Sequence, residues 1–398
     1  MLRAIMLPLL LGNACTAWGD EITFWDAAHR QRTIEVNLLH ENEQGDLFAE
    51  SPDGREWLIN RSQIVSHHRH EEKLAPLSRD ELVSALTKEF PPSFRQLETK
   101  HYVLIYSTDE LFAKEAAKLL ERIKTVSENY LRKQLSFDSA SRDKQAESKL
   151  PMVAVIFGTQ KEYVDYLQPR LGPSVSQTAG VYLPQDHRLY LFNMLGGRGA
   201  DWLAQASKAV EKSPDQISLL LATDTVSTVI HEGVHQVAFN IGFHRRRVSQ
   251  PIWLLEGWAT LLEVPDLEGK TRWAGLGQIN GDRADELRKG WGKVSPESIE
   301  SLIAGDDAFR SADTSSLAYA QAWGLTYYLI KMKKQAFGMY VERINARPEW
   351  VPYLAEDRLR DFETSFGISP IRMEAEFKRW IEKNVFKKDR PNEPGATP

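Results

Sequence analysis

Between Val226 and Ala238 the apolar residues Val226, Val229, Ile230, Val234, Val237 and Ala238 recur at three- and four-residue intervals, which predicts one buried α-helix. The same segment reads His231-Glu232-Gly233-Val234-His235. Side chains four apart on a helix lie one above the other, so the two imidazoles can reach one cation at about 2.0–2.1 Å. Glu232, one position on, leans toward the open side of such a cation, where it can hold a water and take its proton. A helix of this kind needs core around it, and the chain can supply one. It has 398 residues, 42% hydrophobic and 26% charged, close to ordinary soluble domains, and at roughly 150 residues per domain its length suggests two or three domains. The 50 basic against 55 acidic residues, a net charge of -5, give no bulk electrostatic reason to expect nucleic acid as a partner.

Residues 1–19 read as an export signal: Arg3, an apolar run from Ala4 to Leu11 too short to span a bilayer, then small residues to Gly19. Cleavage after Gly19 would remove Cys15, the single cysteine, and with it every cysteine-based metal site or nucleophile. The expected location is periplasmic or extracellular. Acylation of Cys15 would instead anchor the protein to a membrane, against which Gly12 stands where a large aliphatic residue is expected. No later segment approaches the roughly 18 apolar residues of a membrane helix.

Residues 20–72 show short strand patterns with Gly45-Asp46 and Pro52-Asp53-Gly54 as turns, predicting a small antiparallel barrel. Ser66 to Glu72 holds three histidines, which read either as a metal tract or as a solvated run before a linker at 73–97. From residue 98 the pattern changes. His101–Tyr106 reads as a strand, Leu111–Leu135 as a helix, and Met152–Phe157, Gly180–Leu183 and Arg188–Phe192 as further strands, with Pro184–His187 as a turn. Gly196-Gly197-Arg198-Gly199 lacks the Gly-Lys-Ser/Thr ending of a phosphate loop. From Asp215 to Lys383 the chain reads as mostly helical, and residues 386–398 as a disordered tail. The fold class expected is α+β, residues 98–385 forming the second domain.

Glu256 offers a carboxylate on a second helix, entered through Pro251-Ile252-Trp253-Leu254-Leu255. A third ligand there leaves a fourth tetrahedral position open, as catalytic zinc sites require. His231 to His235, then Pro251 to Ala259 with a further acid at Glu263, resemble the gluzincin metallopeptidases, whose third ligand is a glutamate on the helix after the motif. The fuller run, His231 to Asn240 followed by Trp253 to Glu263, resembles more closely a family of secreted bacterial proteins catalogued as a domain of unknown function. This resemblance extends over about residues 98–385 and includes Tyr319-Ala320-Gln321-Ala322-Trp323. It implies a zincin-like fold and a Zn2+ site at His231, His235 and Glu256, without naming a substrate. Residues 20–72, through Phe24-Trp25-Asp26, Asp53-Gly54 and Trp57-Leu58-Ile59, resemble the Sla homology type of SH3-like domain, with Ala28-His29 where a turn glycine is usual.

Two departures from the gluzincin pattern bear on the chemistry. Gly233 costs the motif helix up to about 1 kcal/mol relative to alanine. Thr260 stands four residues after Glu256, where thermolysin-type enzymes carry an aspartate that orients a zinc histidine. Asn240 and Glu263 are the candidates for that role. An oxyanion donor is also needed. Tyr319 is the candidate, on its likeness to the tyrosine of aminopeptidase-type gluzincins, with Tyr327 and Tyr328 competing; a core role is the other reading of Tyr319. The Arg188–Phe192 strand is expected to be the edge that pairs with an extended peptide. His187 and His244 read as ordinary polar residues, and His244-Arg245-Arg246-Arg247 as a basic loop that is either solvated or meets an acidic substrate.

The function expected is a secreted zinc-dependent peptidase with Glu232 as general base and a peptide or protein as substrate. The alternative is a noncatalytic envelope protein with a structural or degenerate zinc site, binding a partner through its SH3-like domain.

Overall fold

A computed structural model of the chain describes residues 19–26, 29–70, 72–135, 150–194, 223–266, 272–273, 278–293 and 298–387. The predicted signal, Cys15 and Gly196–Gly199 lie outside these residues, except for Gly19, which opens the first strand. The chain is of mixed α+β class and divides into two compact units, Met1–Leu82 and Val83–Pro398.

In the first unit, β1 (Gly19–Trp25), β2 (Gln31–Glu41), β3 (Leu47–Glu50), β4 (Glu56–Ile59) and β5 (Ile64–Arg69) form one antiparallel sheet in the order β4-β3-β2-β1-β5. The expected barrel is not closed. Among the described residues β4 and β5 remain opposite edges, although bulges in β1 and β2 increase the local twist. Ile22, Phe24, Val36, Leu47, Ala49 and Ile59 form the core. His29 adopts a positive φ of 55° in the first turn, a left-handed conformation that histidine tolerates better than most residues, so the missing glycine does not prevent the hairpin. The histidine-rich stretch is partly strand and largely solvated: His67 and His68 lie in β5, His68 and His70 are exposed, and His67 Nε2 stands 2.6 Å from Asp20 Oδ2.

The stretch expected to be a linker carries structure. In α1 (Arg79–Glu89), Ser78 and Glu81 cap each other's backbone N–H groups. Then β6 (Arg95–Glu98), β7 (Tyr102–Tyr106), α2 (Glu110–Gln134), β8 (Met152–Phe157), α3 (Gln160–Leu171), β9 (Gly180–Leu183) and β10 (Arg188–Phe192) follow. Their sheet runs β6-β7-β8-β10-β9, parallel across β7, β8 and β10 and antiparallel at both ends. The parallel strands are buried throughout, hence their nearly continuous apolar runs. Leu104, Ala154, Ile156, Leu189 and Leu191 share a core with the helices described below, while Phe157, Tyr190 and Phe192 pack on Tyr163 and Tyr166 of α3. The edge beside β10 is β9. The expectation that Arg188–Phe192 is itself an edge is therefore corrected: its apolar run fits a strand paired on both sides.

The remainder is helical: α4 (Thr223–Asn240), α5 (Ile252–Leu262), α6 (Gly281–Gly290), α7 (Ser298–Ala304), α8 (Asp307–Arg310), α9 (Ser315–Met332), α10 (Lys334–Asn345), α11 (Ala355–Phe366) and α12 (Pro370–Ile381), with a short two-stranded pair, Pro265–Asp266 and Arg272–Trp273, after α5. Close approaches place the motif helix. A Cβ on Gly233 would stand 2.9 Å from Leu120 Cδ2 and 3.1 Å from Ile123 Cδ1, so glycine lets α2 lie against α4, which offsets its poor helix propensity. A Cβ on Gly257 would stand 2.6 Å from the Ala322 carbonyl oxygen, which presses α5 onto α9. Trp253, Trp258 and Trp323 are fully buried in this core. Order continues through a final turn, Glu382–Phe386, where Phe386 packs edge-on against Trp291.

Candidate metal centre

His231 and His235 lie on α4, and Glu256 on α5. Their donor atoms converge: His231 Nε2 to His235 Nε2 is 3.2 Å, His231 Nε2 to Glu256 Oε2 is 3.2 Å, and His235 Nε2 to Glu256 Oε2 is 3.4 Å. Ligands about 2.0–2.1 Å from a tetrahedral ion stand about 3.3–3.4 Å apart. The donor spacing and the donor chemistry, two imidazoles and a carboxylate, therefore fit one metal ion, and the three residues are a group that could hold one.

Within the cluster the acidic and basic groups also shift one another. Burial would raise the Glu256 carboxyl, but the charge of His235 and hydrogen bonds from both histidines hold it well below the usual range. Burial would depress His231, yet its contacts with Glu256 and Glu263, with the charges of Glu263 and Glu232, raise it well above the ordinary imidazole value. Acidic and basic groups that would each be costly to bury alone are thus compensated by one another.

Behind His231, the role expected of Asn240 or Glu263 falls to Glu263. Its Oε2 lies 2.7 Å from His231 Nδ1, while Oε1 accepts from Asn280 Nδ2 and Arg283 Nε, each at 2.9 Å. Glu263 follows Glu256 by seven residues, two helical turns, which returns it to the same face. Thr260 instead donates from Oγ1 to the Glu256 carbonyl at 2.6 Å. Asn240 reaches His187 Nε2 at 3.3 Å.

Glu232, on α4, reaches the sheet edge. Its Oε2 accepts the Tyr182 backbone N–H at 2.7 Å. Tyr319, on α9, is raised by burial and then by the charges of Glu256, Glu232 and Glu263. Its ring packs on Phe309 and lies 5.4 Å from the Arg283 guanidinium carbon. The competing tyrosines are engaged elsewhere: Tyr327 stacks on Trp323, and Tyr328 donates to Glu376 at 3.0 Å.

His187 and His244 do not enter the donor group. His187 Nδ1 lies 2.7 Å from the Tyr182 hydroxyl, and His244 Nδ1 lies 2.9 Å from Gln250 Oε1. Burial pushes both imidazoles down to about 3. The basic loop is structural at two positions: Arg245 binds the Asn345 carbonyl and Glu349, and Arg246 binds the carbonyls of Pro184 and Gln185. Asn280, Arg283 and the Tyr182 N–H were not among the sequence candidates. The first two precede or open a helix far along the chain, and the third is backbone; only Asn280 carried a local signal, as an N-cap before α6.

Residues 225–350 match a family model described as a protein of unknown function, DUF1570. The DUF1570 match takes in the described parts of the chain from α4 to α10, and so all three donor residues, Glu232, Glu263 and Tyr319. No curated protein matches the chain.

Proposed function

We propose that this chain is a zinc-dependent peptidase with a zincin-like fold, exported from the cell, in which His231, His235 and Glu256 hold the metal and Glu232 is the general base. The observation that carries the reading is the mutual spacing of three donors, 3.2 to 3.4 Å, on two helices with a carboxylate at the adjoining sheet edge. The DUF1570 match supports a shared domain and says nothing of activity.

Zinc bound there would supply Lewis acidity, polarising a carbonyl and making water acidic near neutral pH. The protein's own groups have separable tasks. Glu263 accepts the His231 Nδ1 proton and fixes the tautomer, leaving Nε2 as a lone-pair donor. Glu232 takes a proton from attacking water and delivers it to the leaving amine nitrogen. Tyr319 donates from its hydroxyl to the oxygen that gains charge at the attacked carbonyl. The β9 edge offers a strand for an extended peptide to join.

Purified protein is expected to carry about one zinc per chain and to cleave members of a peptide library. A chelator or Glu232→Gln should abolish cleavage, the latter with zinc retained. Zinc-bearing wild-type protein that cleaves no peptide would favour the noncatalytic reading, in which residues 20–72 carry the function as an SH3-like partner-binding module.

A further inference from the structure

The carboxylate behind His231 is clamped from a second helix. Glu263 stands at the C-terminal end of α5, and a glutamate has one more rotatable bond than an aspartate, so it needs outside restraint to hold one geometry. Two groups from the start of α6 supply it. Asn280 Nδ2 bonds both the Thr260 carbonyl, at 3.2 Å, and Glu263 Oε1. The Arg283 backbone N–H is capped by Asn280 Oδ1, and its Nε meets the same Glu263 oxygen. The Arg283 side chain is only 26% exposed, and its guanidinium carbon lies 5.4 Å from the Tyr319 ring centroid, within cation–π range.

One side chain thus touches both the group that orients a metal ligand and the ring that carries the proposed oxyanion donor. We propose that Arg283 is a positioning residue shared by the two, fixing Glu263 behind His231 and the Tyr319 ring beside it. This rests on the zinc-peptidase reading for its chemistry, while its first consequence, metal affinity, does not require that a substrate be known. Planarity is needed as well as charge. Nε must point at Glu263 while the flat guanidinium faces the ring, and the single ammonium of lysine lacks that fork.

The test is zinc affinity of the full chain, by competition with a chromogenic chelator, for Arg283→Met, Arg283→Lys and Glu263→Gln, with circular dichroism and thermal melts establishing that each variant is folded. Arg283→Met should bind zinc about tenfold more weakly, the lower end of the loss typical when a group supporting a ligand is removed, and Arg283→Lys should fall between it and wild type. In the Glu263→Gln background, Arg283→Met should cause no further loss. At saturating zinc, Arg283→Met should lower kcat on a cleaved peptide, and Tyr319→Phe should remove that additional effect. A folded Arg283→Met protein with wild-type zinc affinity would overturn the proposal, as would an undiminished loss in the Glu263→Gln background. Zinc binding by wild type distinguishes the two levels: if wild type binds no zinc, the peptidase reading fails and carries this proposal with it.

Discussion

Tyr182 donates its backbone N–H to Glu232 Oε2 at 2.7 Å, tying the edge strand β9 to the motif helix α4. The carboxylate proposed to move protons is therefore also a fastening between sheet and helix, and its two roles can be separated. One oxygen is bonded to the edge strand; the proposed proton transfer falls to the carboxylate's basicity.

Glutamine at position 232 keeps an acceptor for the Tyr182 N–H but is no base. Glu232→Gln should retain zinc and near wild-type thermal stability, while peptide hydrolysis falls by about 10²–10⁴-fold. Alanine removes the acceptor too, and leaving a donor without its partner costs about 1–3 kcal/mol. Denaturant melts of the two variants should differ by that amount. Equal stabilities would mean that the strand tie contributes nothing.

Glycine in a helix interior is normally a weakness of about 1 kcal/mol relative to alanine, yet two glycines here should respond differently to replacement. At Gly233 the new methyl meets side-chain ends, Leu120 Cδ2 at 2.9 Å and Ile123 Cδ1 at 3.1 Å, which can turn aside. At Gly257 it meets Thr326 Oγ1 at 2.2 Å and the Ala322 carbonyl oxygen at 2.6 Å; the latter is backbone and cannot. Gly233→Ala should be near neutral, and Gly257→Ala should cost about 1–3 kcal/mol, read as a shift in urea midpoint at constant slope.

His187 gives a pH dependence whose sign is fixed. Burial, then the charge of Arg246, brings its imidazole down to about 3, against about 6.5 in an unfolded chain. Between those values the unfolded chain binds a proton that the folded chain does not, so stability falls as pH drops from about 6.5 toward 3 and is flat above, with a slope of up to about 1.4 kcal/mol per pH unit. His187→Asn suits the positive φ of 54° at this position and should reduce that slope by one proton's worth, leaving the similar contribution of His244. Urea melts at pH 7 and pH 5 that give the same slope for both proteins would contradict it.

Much of this was legible because local patterns carried it. The stripe from Val226 to Ala238 set the motif helix, the Pro251 entry set α5, and the uninterrupted apolar runs at Tyr102–Tyr106 and Met152–Phe157 set the inner strands. The Ser78-to-Glu81 capping box also lay in plain view within what reads as linker, but a short polar helix has little apolar periodicity to announce it. What could not be read were relationships between distant segments. Whether the barrel closes depends on pairing between β4 and β5, and which strand is the edge depends on β9 falling outside β10. The clamp on Glu263 depends on a helix beginning at residue 281. Spacing in sequence identified Glu263 as a candidate, and only the fold selected it over Asn240.

The central claim is that His231 Nε2, His235 Nε2 and Glu256 Oε2 share one divalent ion. Anomalous diffraction from crystals of the zinc-loaded protein, recorded on both sides of the zinc edge, tests it directly. The predicted result is one strong anomalous peak about 2.0–2.1 Å from each of the three atoms. Density for zinc elsewhere, or none at these residues in zinc-loaded crystals, would contradict it.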